Sequence, residues 1–157
     1  MIQRLVLAVA VTTALIGATT PALSTARADA ADGTMERQLD ELAAELETLI
    51  DTDDATPAGD AQRVVEIRLP ARTHTSAGVD HLRFRERAGV GVATWRVKSR
   101  ERTERLVDIP IRPPAPAGRL EEPGPHRLVF VLTRSGGRRV LTVHRFKSEA
   151  AARGGHA

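Results

Sequence analysis

The sequence predicts a mainly β protein with an N-terminal α-helical part. A hydrophobic helix and a short amphipathic helix precede a small antiparallel β-sandwich or open barrel of about six strands. Three observations support this fold class: residues 5–26 carry no charge, leucines then recur at helical spacing, and from residue 63 apolar side chains alternate with polar ones. The chain has 157 residues, enough for one compact domain plus these helices.

Residues 1–30 are predicted to be a targeting segment. The 22 uncharged residues 5–26 would form a helix roughly 33 Å long, which is enough to cross a ~30 Å hydrocarbon core. A secretory signal peptide fits as well, because Arg4 precedes the apolar run and A-x-A cleavage patterns end at Ala28 and Ala30. We therefore expect either a single N-terminal anchor in the cell membrane with the domain outside, or a protein secreted after cleavage near Ala28 or Ala30.

An amphipathic helix is predicted over residues 31–50, followed by an acidic linker over 51–61. Asp32 or Thr34 is expected to cap the N-terminus of this helix. Its apolar residues have heptad spacing, but about two heptads are too few for an isolated coiled coil. They must therefore pack on the protein's own sheet, on a sister helix or on a partner. We call these residues the leucine stripe: Met35, Leu39, Leu42, Leu46 and Leu49.

The leucine stripe is our candidate for partner binding, including self-association. Burying each of its side chains is worth about 1.5–3 kcal/mol, whereas an exposed ion pair contributes ~0–1 kcal/mol. We therefore predict that the stripe, and not the arginine-rich surface described below, carries the association with protein partners of a membrane or surface assembly.

A β-rich domain is predicted over residues 62–147, and a disordered tail over 148–157. The clearest local pattern is Gly136-Gly137 between two alternating runs, which predicts a two-residue hairpin turn with positive φ. Five of the nine prolines lie in residues 112–125, which are predicted to form a surface loop. The strands are expected near 63–69, 81–87, 90–98, 105–109, 128–132 and 140–146, with Val140, Thr142, His144 and Phe146 alternating in the last.

The charge is divided unevenly along the chain. Residues 1–60 hold 3 basic and 11 acidic side chains, whereas residues 61–157 hold 20 basic and 9 acidic ones. The net charges of −8 and +11 add up to the overall +3. A division this large indicates separate structural units, and attraction between them or toward partners.

Arg83, Arg85 and Arg87 are predicted to share the outward face of one strand, opposite Leu82 and Phe84. Such a face suits an anionic surface: lipid headgroups, a glycan, an acidic protein, or the acidic helix and linker of a neighbouring subunit. We do not expect nucleic acid as a partner, because the chain is predicted to be exported and has only 3% aromatic residues for base stacking.

No residue pattern indicates catalysis, a cofactor or a metal, and we predict that the protein is not an enzyme. Cysteine is absent, which excludes a disulfide framework, a thiolate zinc site and a thiol nucleophile. Ser76 lacks the G-x-S-x-G context of a hydrolase nucleophile. The histidines lack the short spacings that bring two imidazoles onto one metal; they are His74, His81, His126, His144 and His156. A hydrolase site built from sequence-distant residues is the remaining catalytic alternative.

The order of an N-terminal hydrophobic helix, an amphipathic extension and a β-rich head resembles a type IV pilin. More narrowly, the chain resembles an uncharacterised haloarchaeal family of small membrane-anchored, pilin-like proteins associated with type IV pilus and secretion gene clusters. The segments that carry this resemblance are MIQRLVLAVAV, TARADA, RVVEIRLPARTHTSAGV, the WRV at Trp95, and EPGPHRLVFVLTRSGGRRVLTVHRF.

This resemblance implies a non-enzymatic, membrane-anchored structural or accessory component of a surface appendage or secretion assembly. The alternative is a freely secreted β-sandwich module that binds an anionic partner.

Overall fold

The computed structural model describes residues 2–55, 61–112 and 119–146, and for residues 2–21 it describes the helix backbone without the side chains. The predicted disordered tail at 148–157 and the central part of the predicted acidic linker, residues 56–60, lie outside the described residues. So do residues 113–118 of the proline-rich segment.

One long helix and a series of strands make up the described part of the chain. Helix α1 has 51 residues, Ile2–Thr52. Six strands have seven or more residues, and two more have two residues each. They are β1 (Ala61–Leu69), β2 (His81–Arg87), β3 (Val90–Val97), β4 (Arg100–Val107), β5 (Ile111–Arg112), β6 (Arg119–Leu120), β7 (Gly124–Ser135) and β8 (Arg138–Arg145).

The strands form two four-stranded sheets that pack face to face as an open sandwich. Sheet A has the order β1-β7-β8-β5, and sheet B has the order β4-β3-β2-β6. All neighbouring strands are antiparallel except β5 and β8, which run parallel. The predicted fold class is confirmed, and of its two forms the structure has the sandwich.

Helix α1 closes one side of the sandwich, because it packs on β1 and β4, the edge strands of the two sheets. The Gln38 side chain accepts a hydrogen bond from the Arg68 backbone N–H (2.8 Å) and donates one to the Arg68 carbonyl (3.0 Å). In this way a helix side chain satisfies backbone hydrogen-bonding groups of an edge strand, which would otherwise be free to pair with another chain.

The core lies between the sheets and under the helix. Trp95 and Phe130 are its largest buried side chains, and the Phe84 and Phe130 rings pack edge to face with centroids 5.7 Å apart. Aliphatic side chains supply the rest, as the low aromatic content requires. In β1, β3 and β7 the predicted inward positions are the buried ones, because successive side chains of a strand point to opposite faces.

The predicted Gly136-Gly137 turn is confirmed. Both glycines have positive φ, +57° and +78°, and Ser135 pairs directly with Arg138 across the two-residue loop. In β8, however, the side chains that enter the core are those of Leu141 and Val143. The alternating residues predicted for this strand, such as Thr142 and His144, therefore belong to its outer face. The register is set by pairing with β7, where Phe130 lies opposite Val143.

Several boundaries differ from the predicted ones. The segment 112–125, predicted to be a surface loop, contains β6, and β7 begins at Gly124 instead of near residue 128. The short strand expected at 105–109 is β4, which begins five residues earlier because residues 100–104 pair with the end of β3. The two predicted helices are one continuous helix, so Asp32 and Thr34 lie inside it and do not cap its start. Within the part of the chain whose side chains are described, no helix is long and apolar enough to span a membrane. The predicted anchor falls mainly on residues 2–21, outside that part.

Candidate functional site

The leucine stripe lies in the protein's own core. All five of its side chains are between 0% and 1% exposed, and they pack with buried residues of both sheets. The assignment of these residues to partner binding is therefore corrected: the folded chain uses the apolar face of the helix to close its own sandwich. Their heptad spacing reflects a long helix lying along two sheet edges, which requires the same apolar periodicity as a partner helix does.

The second predicted surface is present and is larger than the sequence indicated. Arg83 lies opposite Arg119 on one side and Thr94 on the other, so these side chains share the outer face of sheet B. The same register brings in Arg96 opposite His81, and Arg105 opposite Val92. We call this surface the arginine face: Arg83, Arg85, Arg87, Arg96, Arg105 and Arg119.

Acidic side chains neutralise only part of the arginine face. Glu101 lies 2.8 Å from Arg96 and 3.6 Å from Arg85, measured between guanidinium nitrogens and carboxylate oxygens. Arg119 pairs with Glu121 and Arg105 with Asp108. Six arginines thus face three carboxylates, which leaves an excess of three positive charges. Among the described residues, neither Arg83 nor Arg87 has an ion-pair partner.

Two buried polar side chains of the same outer face, Thr94 and His81, contact the arginines. Arg85 donates a hydrogen bond to the Thr94 hydroxyl (3.0 Å), and that hydroxyl lies 3.1 Å from the hydroxyl of Thr103. The Arg119 guanidinium lies 3.2 Å from Nδ1 of His81, which is buried. Because a guanidinium only donates, this contact requires Nδ1 to be the unprotonated acceptor.

The pKa of His81 is lowered from its usual value of 6.5, first by burial and then by the positive charges of Arg119, Arg96 and Arg83. Glu101 acts in the opposite direction but is the smallest contribution. The imidazole is therefore neutral at physiological pH, and it adds an acceptor to this surface without adding charge.

The outward side of α1 carries the opposite charge. Between residues 36 and 54 its only basic side chain is Arg37. We call the exposed acidic residues of this side of the helix, with the two that directly follow its end, the acidic helix face: Glu36, Asp40, Glu41, Glu45, Glu47, Asp51, Asp53 and Asp54. Within the described part of the chain, none of these eight carboxylates makes an ion pair with an arginine or lysine.

The negative charge of the acidic helix face affects the pKa of Glu104 on β4. Its pKa is raised from 4.5 to about 7, first by burial, then by a hydrogen bond with Asp40, and then by the charges of Asp40 and Glu36. Ionising a carboxyl group beside two carboxylates is unfavourable, so near neutral pH Glu104 is partly protonated. Sequence analysis missed this pair, because the two residues are far apart in the chain.

A third set of polar contacts joins residues 24–32 of α1 to the sheets. The Arg27 carbonyl accepts a hydrogen bond from the Ala77 backbone N–H (3.0 Å), and Lys98 Nζ bonds to Ser24. The Trp95 indole donates to Asp32 Oδ1 at 3.0 Å, with both side chains buried. The helix is therefore tied to the sheets well before the leucine stripe begins.

The carboxylate of Asp32 lies at the centre of a small charged cluster. Its second oxygen, Oδ2, has no hydrogen bond in the described structure but lies 3.7 Å from an Arg100 nitrogen and 3.9 Å from Arg102 Nε. Arg100 in turn pairs with Asp29 at 2.9 Å. We missed this cluster in the sequence because it depends on the register between α1 and β4.

The clefts of the described structure are shallow and lined by ion-pairing residues. One of about 350 Å³ lies between the β2–β3, β4–β5 and β7–β8 turns, beside Glu86, Arg112 and Arg138. Arg139 also lines this cleft and donates a hydrogen bond to the Ile50 carbonyl in the last turns of α1 (2.9 Å). Among the described residues, no three histidine or acidic side chains are arranged to hold a metal ion.

A family model described as a domain of unknown function, DUF7311, matches residues 1–146. The chain belongs to the DUF7311 family. The match to DUF7311 includes the apolar N-terminal segment as well as the sandwich, so the family is defined over the helix and the head together. No curated protein and no solved structure matches the chain.

Proposed function

We propose that this protein is a non-enzymatic, membrane-anchored structural or accessory component of a surface appendage or secretion assembly, with its β-sandwich outside the membrane. The pilin-like resemblance to small haloarchaeal membrane proteins supports this role, as does the apolar run at residues 5–26. One structural observation favours a retained anchor over a cleaved signal peptide.

That observation is the position of the two A-x-A patterns inside a packed part of the helix. Ala28 and Ala31 are 3% and 0% exposed and belong to the core. Cleavage after Ala30 would remove Ala28, the Arg27–Ala77 hydrogen bond and the Asp29–Arg100 ion pair. It would also create a charged amine next to buried Asp32. A signal peptide usually ends in an extended, accessible segment before the folded domain. Here both A-x-A patterns lie in a helix that packs on the sheets.

The geometry of the helix also supports the anchor. If residues 5–23 cross the bilayer, their length is about 28 Å, close to the ~30 Å hydrocarbon thickness. Ser24, the next residue, already contacts Lys98 of the head. The sandwich would then lie directly on the membrane surface, with α1 continuing from the bilayer into the head without a flexible joint.

The intact mass of the mature protein tests this proposal. The full gene is expressed in a host with a functional secretion pathway, the membrane and culture-medium fractions are separated, and the protein is weighed by mass spectrometry. We expect a membrane-bound chain that retains residue 5 onward. A soluble chain beginning at Asp29 or Ala31 would contradict the anchor and support the alternative, a secreted β-sandwich that binds an anionic partner.

A matched pair of variants strengthens this test. Ala28→Leu and Ala30→Leu together remove both small-residue patterns and leave the apolar run unchanged. If the wild-type chain is retained, the variant has the same location and the same N-terminus. If the wild-type chain is cleaved at these positions, the variant remains with its precursor mass. Because Ala28 is buried and Ala30 is exposed, Ala30→Leu alone is the milder variant, and it removes only the pattern that ends at Ala30.

A further inference from the structure

The arginine face and the acidic helix face are complementary surfaces that are not paired within one molecule. The first has an excess of three positive charges, and two of its arginines, Arg83 and Arg87, have no ion pair among the described residues. The second has eight exposed carboxylates without an ion pair in the same part of the chain. Exposed charges of one sign at this density repel each other, so each surface gains from an oppositely charged neighbour.

We propose that the arginine face of one copy binds the acidic helix face of a second copy, so that the protein assembles with itself through these two surfaces. This inference specifies the partner within the proposed structural role. Because the two surfaces are different, each copy offers one of each, and the contact can repeat from copy to copy.

The spacing of the charges fits such a contact. Along β2, alternate residues are about 6.6 Å apart, which is the spacing of Arg83, Arg85 and Arg87. Along the helix, residues four apart are separated by about 6 Å, which is the spacing of Glu41 and Glu45. A helix laid along the strand direction therefore brings Glu41 and Glu45 opposite two successive guanidinium groups, and arginine suits that contact because its planar fork binds carboxylates at two points.

The composition of the arginine face favours an acidic protein surface over nucleic acid. Phe84, Trp95 and Phe130 are buried, so none of these rings can stack on a base there. Threonine hydroxyls and a neutral imidazole lie between the arginines instead. The second copy is the occupant that the structure itself supplies, and anchoring of copies in one membrane would hold both surfaces at high local concentration.

The two titratable groups under these surfaces support the proposal. The pKa of His81 is lowered by burial and by neighbouring arginines, and the pKa of Glu104 is raised by burial and by neighbouring carboxylates. Burial is the larger cause in each case, and the charge of the neighbouring surface acts in the same direction.

The test is a charge exchange between two variants of the full chain in detergent micelles, with association measured by sedimentation equilibrium. Arg83→Glu with Arg87→Glu reverses the unpaired arginines, and Glu41→Lys with Glu45→Lys reverses two carboxylates. The control is Arg63→Glu with Arg134→Glu, which makes the same change of charge at exposed positions on sheet A. Circular dichroism and thermal unfolding establish that each variant is folded.

We expect the wild-type chain to associate, with a Kd that rises at least about tenfold between 0.05 and 0.5 M NaCl because salt screens the contact. Each reversed variant alone should associate at least about tenfold more weakly than the control. A mixture of the two reversed variants should recover association, since the intact arginine face of one meets the intact acidic helix face of the other. The introduced lysines also meet the introduced glutamates. If one variant fails to fold, the milder Arg83→Gln with Arg87→Gln replaces it, and a weaker loss is expected.

Three results would overturn the proposal: a wild-type chain that is monomeric at low salt, association that salt does not change, or an equal loss in the sheet A control. Wild-type monomers that bind added polyglutamate through the arginine face would also overturn it, since the partner would then be another acidic molecule. These outcomes are separate from the anchor test, because membrane retention and N-terminal mass do not depend on the exchanged residues.

Discussion

The arginine face and the acidic helix face lie on either side of β4 and affect the groups beneath them in opposite directions. At His81, burial and three arginines act together to lower the pKa of the imidazole. At Glu104, burial and two carboxylates act together to raise the pKa of the carboxyl group to about 7. In both regions burial is the first cause and the surrounding charge the second, and both favour the neutral form of the titratable group.

The two faces remain separate because they lie on different elements of the fold. The acidic residues are on a helix that is tied to the sheets through its apolar stripe, and the arginines are on the outer face of sheet B. The rigid core between them prevents the two charged surfaces from folding onto each other. The following substitutions, in order of decreasing expected effect, change either the core that holds the faces apart or the groups that respond to them.

Leu42→Ala should have the largest effect, a loss of about 2–5 kcal/mol in the free energy of unfolding, because Leu42 is 1% exposed in the core under the helix. Loosening the helix from β4 should also move the pKa of Glu104 toward its usual value, since Asp40 and Glu36 would retreat. Urea unfolding followed by Trp95 fluorescence measures the first effect. Val64→Ala, at a position 46% exposed on β1, is the control and should change stability by less than about 0.5 kcal/mol.

Glu104→Gln should stabilise the protein above pH 7, by about 1 kcal/mol after allowance for the partial exposure of the side chain. A carboxyl group whose pKa is raised in the folded state binds its proton more tightly there than in the unfolded chain. The wild-type protein should therefore lose stability as the pH rises from about 4.5 to about 7.

In the Glu104→Gln variant this part of the pH dependence should disappear, whereas Glu66→Gln, at an exposed position on β1, should leave it unchanged. Urea unfolding at several pH values measures both. A pH dependence between 4.5 and 7 that is the same in the Glu104→Gln variant and the wild type would show that the acidic helix face does not act on Glu104.

His81→Gln should have the smallest effect, and it should appear at the acidic end of the same titration. Because the pKa of His81 is lowered in the folded state, the unfolded chain takes up the proton first. Stability is therefore lost as the pH falls below 6.5, the reverse of the contribution of Glu104. The Gln side chain retains an acceptor for Arg119 but cannot titrate, so this loss should be absent in the variant.

The exposed His144 provides the control, and His144→Gln should behave as the wild type does. Imidazole titration followed by NMR gives a direct reading of His81. A pKa at or above 6.5 would contradict the effect of the arginine face on this residue.

Local patterns predicted much of the fold, because each depends on residues close together in the chain. The inward positions of β1, β3 and β7 follow from two-residue alternation, and the Gly136-Gly137 turn follows from the positive φ that a tight hairpin demands. Arg83, Arg85 and Arg87 were placed on one outward face for the same reason. Residues 100–104 lack an apolar alternation, and for that reason the full length of β4 was missed.

The sequence by itself determined the fold class, the hairpin and the uneven division of charge, since periodicity, turn chemistry and residue type are local properties. Only the tertiary structure decided what each amphipathic element faces. The leucine stripe has the same spacing whether it packs on a partner or on its own sheets, and contact with β1 and β4 settled the choice. Likewise Arg96, Arg105 and Arg119 joined the arginine face, and Asp40 met Glu104, through strand register and helix position, which depend on the packing of the whole core.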